Sequence, residues 1–501
     1  MAHASKHSHA PHPTAKAPKG HLLHFGCDCG STISQQLHQR IMNDMTRRKL
    51  LGGLSLMMGA FAGVVPLSVA ASTVKGDNKT VPPRPILFTH LRLFDGSGKP
   101  PIEGKQVLVE GNKVTAILAA NESVADAQII DCGGKLLMPG LIDAHWHCML
   151  AAINQMKAMT SDVGYMYLTA AHEAQKTLMR GFTSVRDVGG PAFALKDAID
   201  SGLVEGPRIY PSGAMISQTS GHGDFRLLSD IPRSSQNDLS LIERVGVSMI
   251  ADGEAQVLRR VREQLMHGAS QIKLLVGGGV ASAYDPLDST QFTEAEIKAG
   301  VAAASDYNTY VMAHVYTPKG IKRAIRCGVK SIEHGQLADE ESVQMMQDEG
   351  IWWSLQPFLQ DEDANFYNEV SKVEAQKLVS LGTAKAYEMA QKYNIKTGWG
   401  TDILFNPTKT HTQNRQLAKL TRFYDPLTLL AQATKDNGEL LALCGSRNPY
   451  PATLGQIVEG GYADLIIANG DPTVNLDFIS DPEQNFHVIM KDGKIYKNTL
   501  T

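Results

Sequence analysis

Eight short strand candidates, each followed by a helix-like stretch, fill the middle of the 501-residue chain. They are LIDAHWH (141–147), TSVRDVG (183–189), RIYPSG (208–213) and QIKLLVG (271–277), then VMAHV (311–315), SIEHG (331–335), WWSLQP (352–357) and KTGWGTD (396–402). Between them lie segments such as YLTAAHEAQKTLMRG and TEAEIKAGVAAASDYN. Strands alternating with helices over roughly 300 residues predict an α/β chain built as a (β/α)8 TIM barrel. A doubly wound open sheet is the other arrangement this alternation permits. No Gly-x-Gly-x-x-Gly follows the first strand to favour a nucleotide site on such a sheet.

The flanks read differently. PILFTHLRLFDG and KQVLVEGNKVTAIL alternate apolar and polar residues, with Gly-Asn as a tight turn, and ADLIIANGDP and HVIMKDGKIYKN repeat the pattern near the other end. A small β-sandwich domain assembled from residues 82–139 and 453–501 is therefore expected around a barrel of residues 140–452. Residues 1–44 are rich in His, Lys, Pro and Ser without an apolar period, which predicts a disordered extension. Residues 45–71 follow, with paired Arg47-Arg48, an apolar run from Leu50, Pro66 and the small residues Ser68-Val69-Ala70-Ala71. That order is expected of a twin-arginine export signal, cleaved near Ala70 or Ala71 and delivering the chain outside the cytoplasm. An uncleaved membrane anchor is the other reading, since the run is about long enough to span.

Composition narrows the partners. Apolar residues make up 43%, charged residues 20%, and the net charge is −3, without a basic run, so nucleic acid is excluded as an expected partner. Of six cysteines, Cys27 and Cys29 lie in the N-terminal tail. Cys132, Cys148, Cys327 and Cys444 are scattered in apolar or strand-end contexts and read as buried thiols, not as a disulfide framework.

The polar residues gather at strand ends, where a barrel of this kind places its chemistry. His145 and His147 end the first strand, Lys273 lies in the fourth, His314 in the fifth, His334 in the sixth, and Asp402 ends the eighth. Residues i and i+2 of a strand share a face, so His145 and His147 can meet on one metal ion. Each residue has an ordinary explanation alone; together, on five strands, they specify a ligand set. Lys273, between Ile272 and Leu274, is costly to bury as a cation and tends to lose its proton. Reaction with CO2 is one way to resolve that cost, because the resulting carbamate is an anionic bidentate ligand. Four imidazoles, a carboxylate and a carbamate suit two divalent ions, Zn2+ best.

In this order, His145-x-His147, Lys273, His314, His334 and Asp402 resemble the binuclear type of the amidohydrolase superfamily. SGAMISQTSGHGDF (212–225), IKLLVGGGVAS (272–282), AHVYTPKGIKRAIRCGVKSIEHG (313–335) and GTDILFNP (400–407) resemble its ochratoxinase and prolidase-like (Xaa-Pro or Xaa-Arg dipeptidase) branch. The resemblance implies that His145, His147 and Asp402 hold the more buried ion and His314 and His334 the more exposed one, bridged by carbamylated Lys273. It also implies a homo-oligomer. The chain departs from the fungal ochratoxinase pattern at Tyr316 and in ILFNPTKTHTQNRQ after Asp402, both on the expected substrate side.

The expected reaction is hydrolysis of an amide in an N-acyl amino acid or dipeptide, including ochratoxin-type amides. A hydroxide between two cations is nucleophilic at neutral pH, because metal binding lowers the pKa of water from about 15.7 towards 7. Asp402 is expected to take its proton and pass it to the leaving amine, so that Asp402, Lys273 and His314 form the catalytic set. His222 is the first candidate to meet a substrate carboxylate, with Tyr284 and Tyr316 next; holding its own turn is the other reading of His222. Asp224 and Asp143 are expected to be structural supports. A cyclic amidase of the imidazolonepropionase kind and a lactonase are the alternatives on the same scaffold.

Overall fold

The computed structural model describes residues 84–232 and 239–500. The expected extension 1–44 and signal 45–71 lie outside the described residues. Five strands open the described chain: β1 (Ile86–Leu93), β2 (Ile102–Glu110), β3 (Lys113–Ala119), β4 (Gln128–Asp131) and β5 (Leu136–Pro139). Ten follow in the middle: β6 (Leu141–Trp146), β7 (Phe182–Asp187), β8 (Arg208–Pro211), β9 (Met215–Ser217), β10 (Ser248–Ile250), β11 (Ile272–Leu275), β12 (Val311–Val315), β13 (Ser331–His334), β14 (Trp352–Leu355) and β15 (Thr397–Trp399). Three close it: β16 (Leu465–Ala468), β17 (Phe486–Lys491) and β18 (Lys494–Asn498).

The strands of both ends join in one hydrogen-bonded sheet, ordered β18-β17-β16-β5-β1-β2-β3 with β4 beside β1. Where two facing sheets of a sandwich are expected, the ladders form this single sheet. The β17–β18 turn is the expected Asp492-Gly493, and both residues have positive φ, 55° and 73°, as the tight hairpin turn requires. β16 pairs antiparallel with β5, which leads directly through Gly140 into β6. The terminal sheet therefore fixes where the first of the parallel middle strands begins.

All eight expected middle strands form, and each is buried along its length, the mark of parallel strands covered by helices. The third is interrupted: β8 ends at Pro211 and β9 resumes at Met215. The parallel ladders consequently run in two arcs, β6-β7-β8 and β10-β9-β11-β12-β13-β14-β15. β10, which the periodicity does not anticipate, pairs with β9 at the edge of the second arc. Helices such as Val163–Met179 and Glu294–Ser305 occupy the expected intervals and pack apolar faces onto the strands. Among the described residues no helix is long and apolar enough to cross a membrane.

Between the last strand, β15, and the first, β6, side chains stand in for a ladder. Asn437 Nδ2 donates to the carbonyls of both Ile142 (2.7 Å) and Trp399 (2.8 Å). Gly400 lets the backbones approach, since a Cβ there would lie 2.4 Å from His145 N. Asp402 N donates to His145 O at 2.8 Å. The seam thus brings the two ends of the strand series together at the residues the chemistry needs.

Candidate metal centre

β6 delivers His145 at its end and His147 just beyond it, and the turn after β15 delivers Asp402. The Nε2 atoms of His145 and His147 lie 3.3 and 3.1 Å from Asp402 Oδ1. Ligand atoms from these three residues all fall within 4.8 Å of one another, the spacing of a metal site. Burial alone would raise the Asp402 carboxyl, but the surrounding imidazoles, His145 foremost, hold it well below the carboxylate range. Asp402 and His334 both adopt left-handed backbone, with φ of 54° and 75°. Such strain persists where surrounding structure enforces it.

Each imidazole has a built orientation. Asp143, in β6, accepts from His145 N (3.0 Å), Thr401 N and Oγ1 (3.2 and 2.8 Å) and Gln413 Nε2 (2.9 Å). It ties the two sides of the seam and is the support the sequence predicts. His145 Nδ1 is 2.7 Å from Glu333 Oε2, and Arg186 clasps that carboxylate with Nη2 at 2.8 Å from both oxygens. Burial would raise Glu333, yet the Arg186 guanidinium keeps it well below the usual carboxylate range. His147 Nδ1 donates to Gly189 O at 3.1 Å. Asp187 accepts from Cys148 N at 2.7 Å, and burial pushes its carboxyl up to about 6.

His314, His334 and Lys273 complete the cluster. His314 lies 4.5 Å from His334, ring centre to ring centre, and His334 lies 4.9 Å from His145. His314 Nε2 is buried with no hydrogen-bond partner among the described residues, and burial holds its basicity well below that of free imidazole. The same is true of His334. Lys273, 2% exposed, lies near the Glu333 and Asp402 carboxylates, and burial pulls its ammonium down to about 8. All six residues line one cavity of about 390 Å3. An orphaned buried imidazole nitrogen, a buried lysine of lowered basicity and three converging ligand atoms fit divalent ions bound by nitrogen and oxygen.

Of the substrate candidates, His222 and Tyr316 line this cavity. The His222 ring stacks on His314 at 4.0 Å, its Nδ1 is 3.1 Å from Asp285 Oδ2, and Gly279 leaves no room for a Cβ beneath it. Tyr316 stacks on His334 at 5.0 Å, with Phe358 stacked on the same ring at 5.8 Å. Tyr284 is placed elsewhere: its hydroxyl donates to Arg226 O at 2.8 Å and it is not part of the lining. Its neighbour Arg226 pairs with Asp224, which is the structural support expected.

Glu333, Arg186 and Gln356 were not anticipated as site residues, although a charge inside a continuously buried strand, as in SIEH and FTSVRD, is a readable signal. Phe366, Tyr367 and Phe405, which also line the cavity, carry no such signal, since those residues lie in loops.

Residues 136–497 match the model of the Amidohydrolase family. The chain is 31% identical over 420 residues to ochratoxinase from Aspergillus niger, covering 81% of this chain and 85% of that protein. A crystal structure of a prolidase complexed with N-methylphosphonate-L-proline superposes with a TM-score of 0.75 at 32% identity, over 83% of this chain and 100% of that one. A Xaa-Pro dipeptidase with bound methionine in its active site gives a TM-score of 0.71 at 28% identity, over 83% and 100%. A cage of this composition on a chain so matched leaves one conclusion, that this chain belongs to the amidohydrolase family and is a hydrolase acting on carbon–nitrogen bonds.

Proposed function

We propose that the chain hydrolyses the amide bond of an N-acyl amino acid or dipeptide bearing a free carboxylate, with two divalent ions, Zn2+ by preference, held by six residues. His145, His147 and Asp402 would hold one ion, His314 and His334 the other, and carbamylated Lys273 would bridge them. The observation that carries the reading is the convergence of His145 Nε2, His147 Nε2 and Asp402 Oδ1 on the floor of the cavity that Lys273, His314 and His334 also line. When bound, such ions polarise a carbonyl and lower the pKa of water.

The chain's own residues supply the rest. Asp402, unprotonated among the imidazoles, takes the proton of the attacking water and hands it to the departing amine nitrogen. Lys273, lowered towards neutrality, attacks CO2 through its free amine; a C–N bond forms, one C=O π bond becomes the carboxylate, and the ammonium proton leaves to water. His222, which lines the cavity with its Nδ1 engaged by Asp285, would receive the substrate carboxylate. Phe358, Tyr367 and Phe405 wall the remaining space and keep water from the reacting bond. The same proposal includes a closed eight-stranded barrel of residues 140–452 and twin-arginine export, the latter on the sequence of residues 45–71 alone.

The test is a chromatographic panel of N-acyl amino acids, Xaa-Pro and Xaa-Arg dipeptides, ochratoxin-like amides, cyclic amides and lactones. Zn-loaded protein is expected to release free amine from the first groups and to lose turnover after chelation. Turnover confined to lactones or cyclic amides sinks the reading. A carbamate carbon signal after 13C-bicarbonate labelling, absent in Lys273→Ala, tests the bridge.

A further inference from the structure

Two of the imidazoles turn the same nitrogen, Nδ1, toward one buried side chain. Gln356 follows the last residue of β14 and is wholly excluded from solvent. Its Oε1 lies 2.8 Å from His334 Nδ1, and its Nε2 lies 3.2 Å from His145 Nδ1. A third contact decides which way the amide points. Nε2 is 3.1 Å from the Ser354 carbonyl oxygen, which can only accept, so that end is the NH2. Oε1 is then the acceptor facing His334. A neutral His334 must therefore carry its proton on Nδ1 and keep Nε2 free.

His145 reaches the same tautomer by a different route. Its Nδ1 faces Glu333 Oε2, a carboxylate oxygen that also accepts from Arg186 Nη2 at 2.8 Å. The 3.2 Å approach of Gln356 Nε2 to His145 Nδ1 consequently sets two donors side by side and is not a hydrogen bond. Both hydrogens of the amide are used by Ser354, at its carbonyl and its hydroxyl, each 3.1 Å away. His145 thus has a charged partner of its own. For the His334 ring, Gln356 is the only hydrogen-bond partner among the described residues; Asp402 Oδ2 faces the same Nδ1 but stands 4.0 Å from it, beyond hydrogen-bond length.

We propose that Gln356 is the positioning residue of the second metal site: by accepting the Nδ1 proton of His334 it fixes the ring so that Nε2 presents to the ion shared with His314. Tyr316 and Phe358 both stack on that ring and hold its plane, but stacking cannot choose between its nitrogens. Only the amide does. The inference rests on the two-ion reading above.

Metal-stripped full-length protein titrated with Co2+, followed by visible absorption and by bound metal after dialysis, tests it. Wild type is expected to take two ions. Gln356→Met, similar in volume but lacking an acceptor, is expected to bind the first ion normally and the second about 10- to 100-fold more weakly. An unchanged second affinity in Gln356→Met overturns the assignment while leaving the two-ion reading standing. A wild type that saturates at one ion overturns both. Should Gln356→Met fail to fold, 15N-histidine spectra of the zinc-loaded wild type decide: a proton on His334 Nδ1 supports the assignment, and metal on that nitrogen refutes it.

Discussion

The backbone amide of Asp402 donates to the carbonyl of His145 at 2.8 Å, so the first and last strands of the series meet at two residues of the candidate metal centre. Placement of the carboxylate and of the imidazole is one event, because the hydrogen bond that sets one backbone sets the other. Asp143 reinforces it by accepting from both His145 N and Thr401 N.

Asp402→Asn keeps the shape of the side chain and removes its charge and its capacity to take a proton. The expected outcome is a kcat loss of about 10^2- to 10^4-fold, the usual worth of a positioned proton carrier. Steady-state kinetics with metal content measured on the same sample checks it. Unchanged kcat rules out the proton-carrying role.

Gly400→Ala places a Cβ 2.4 Å from His145 N and 2.5 Å from its Cβ, so the seam must open. A loss of about 1–3 kcal/mol in unfolding free energy is expected, as for overpacking elsewhere in a core. Denaturant titration reads it, and weaker metal retention should accompany it. A variant of wild-type stability and metal content contradicts the close seam.

Arg186→Met leaves the Glu333 carboxylate buried without its cation and is expected to cost about 3–5 kcal/mol. Adding Glu333→Gln removes the stranded charge. The double variant should therefore be more stable than Arg186→Met alone, a non-additivity that a double-mutant cycle measures. Strict additivity would mean the two groups do not interact.

Burial raises the Asp224 carboxyl, but Arg226 and the Ser220 amide outweigh it and hold Asp224 below its ordinary value. A lowered folded-state value means stability that is present above the unfolded value and is lost as pH falls through the folded one. Asp224→Asn is expected to cost about 1.5–3 kcal/mol at neutral pH. That difference from wild type should shrink once pH drops below about 4, the unfolded-state value. Thermal melts across that range test it, and a pH-independent difference would exclude the ion pair as the cause.

The strand-and-helix alternation, the hairpins at both ends and the six candidate ligands were all legible in the sequence, because each rests on local periodicity or on a polar residue in an apolar run. His145 and His147 share a strand face by geometry alone, and Lys273 stands out for its apolar neighbours. What the sequence left open depends on contacts between distant segments. The break of the third strand into β8 and β9, the single terminal sheet and the unpredicted β10 follow from packing that no local period encodes. Tyr284 looks like its neighbours in sequence, yet only the fold turns its hydroxyl to Arg226 and away from the cavity. Glu333, Arg186 and Gln356 come from three different strands or their ends, and only the tertiary structure puts them behind the same imidazoles. The sequence determined which groups are available for chemistry; the fold decided which acceptor faces Nδ1 of His145, His147 and His334, because that acceptor lies across the core and not among the neighbours along the chain.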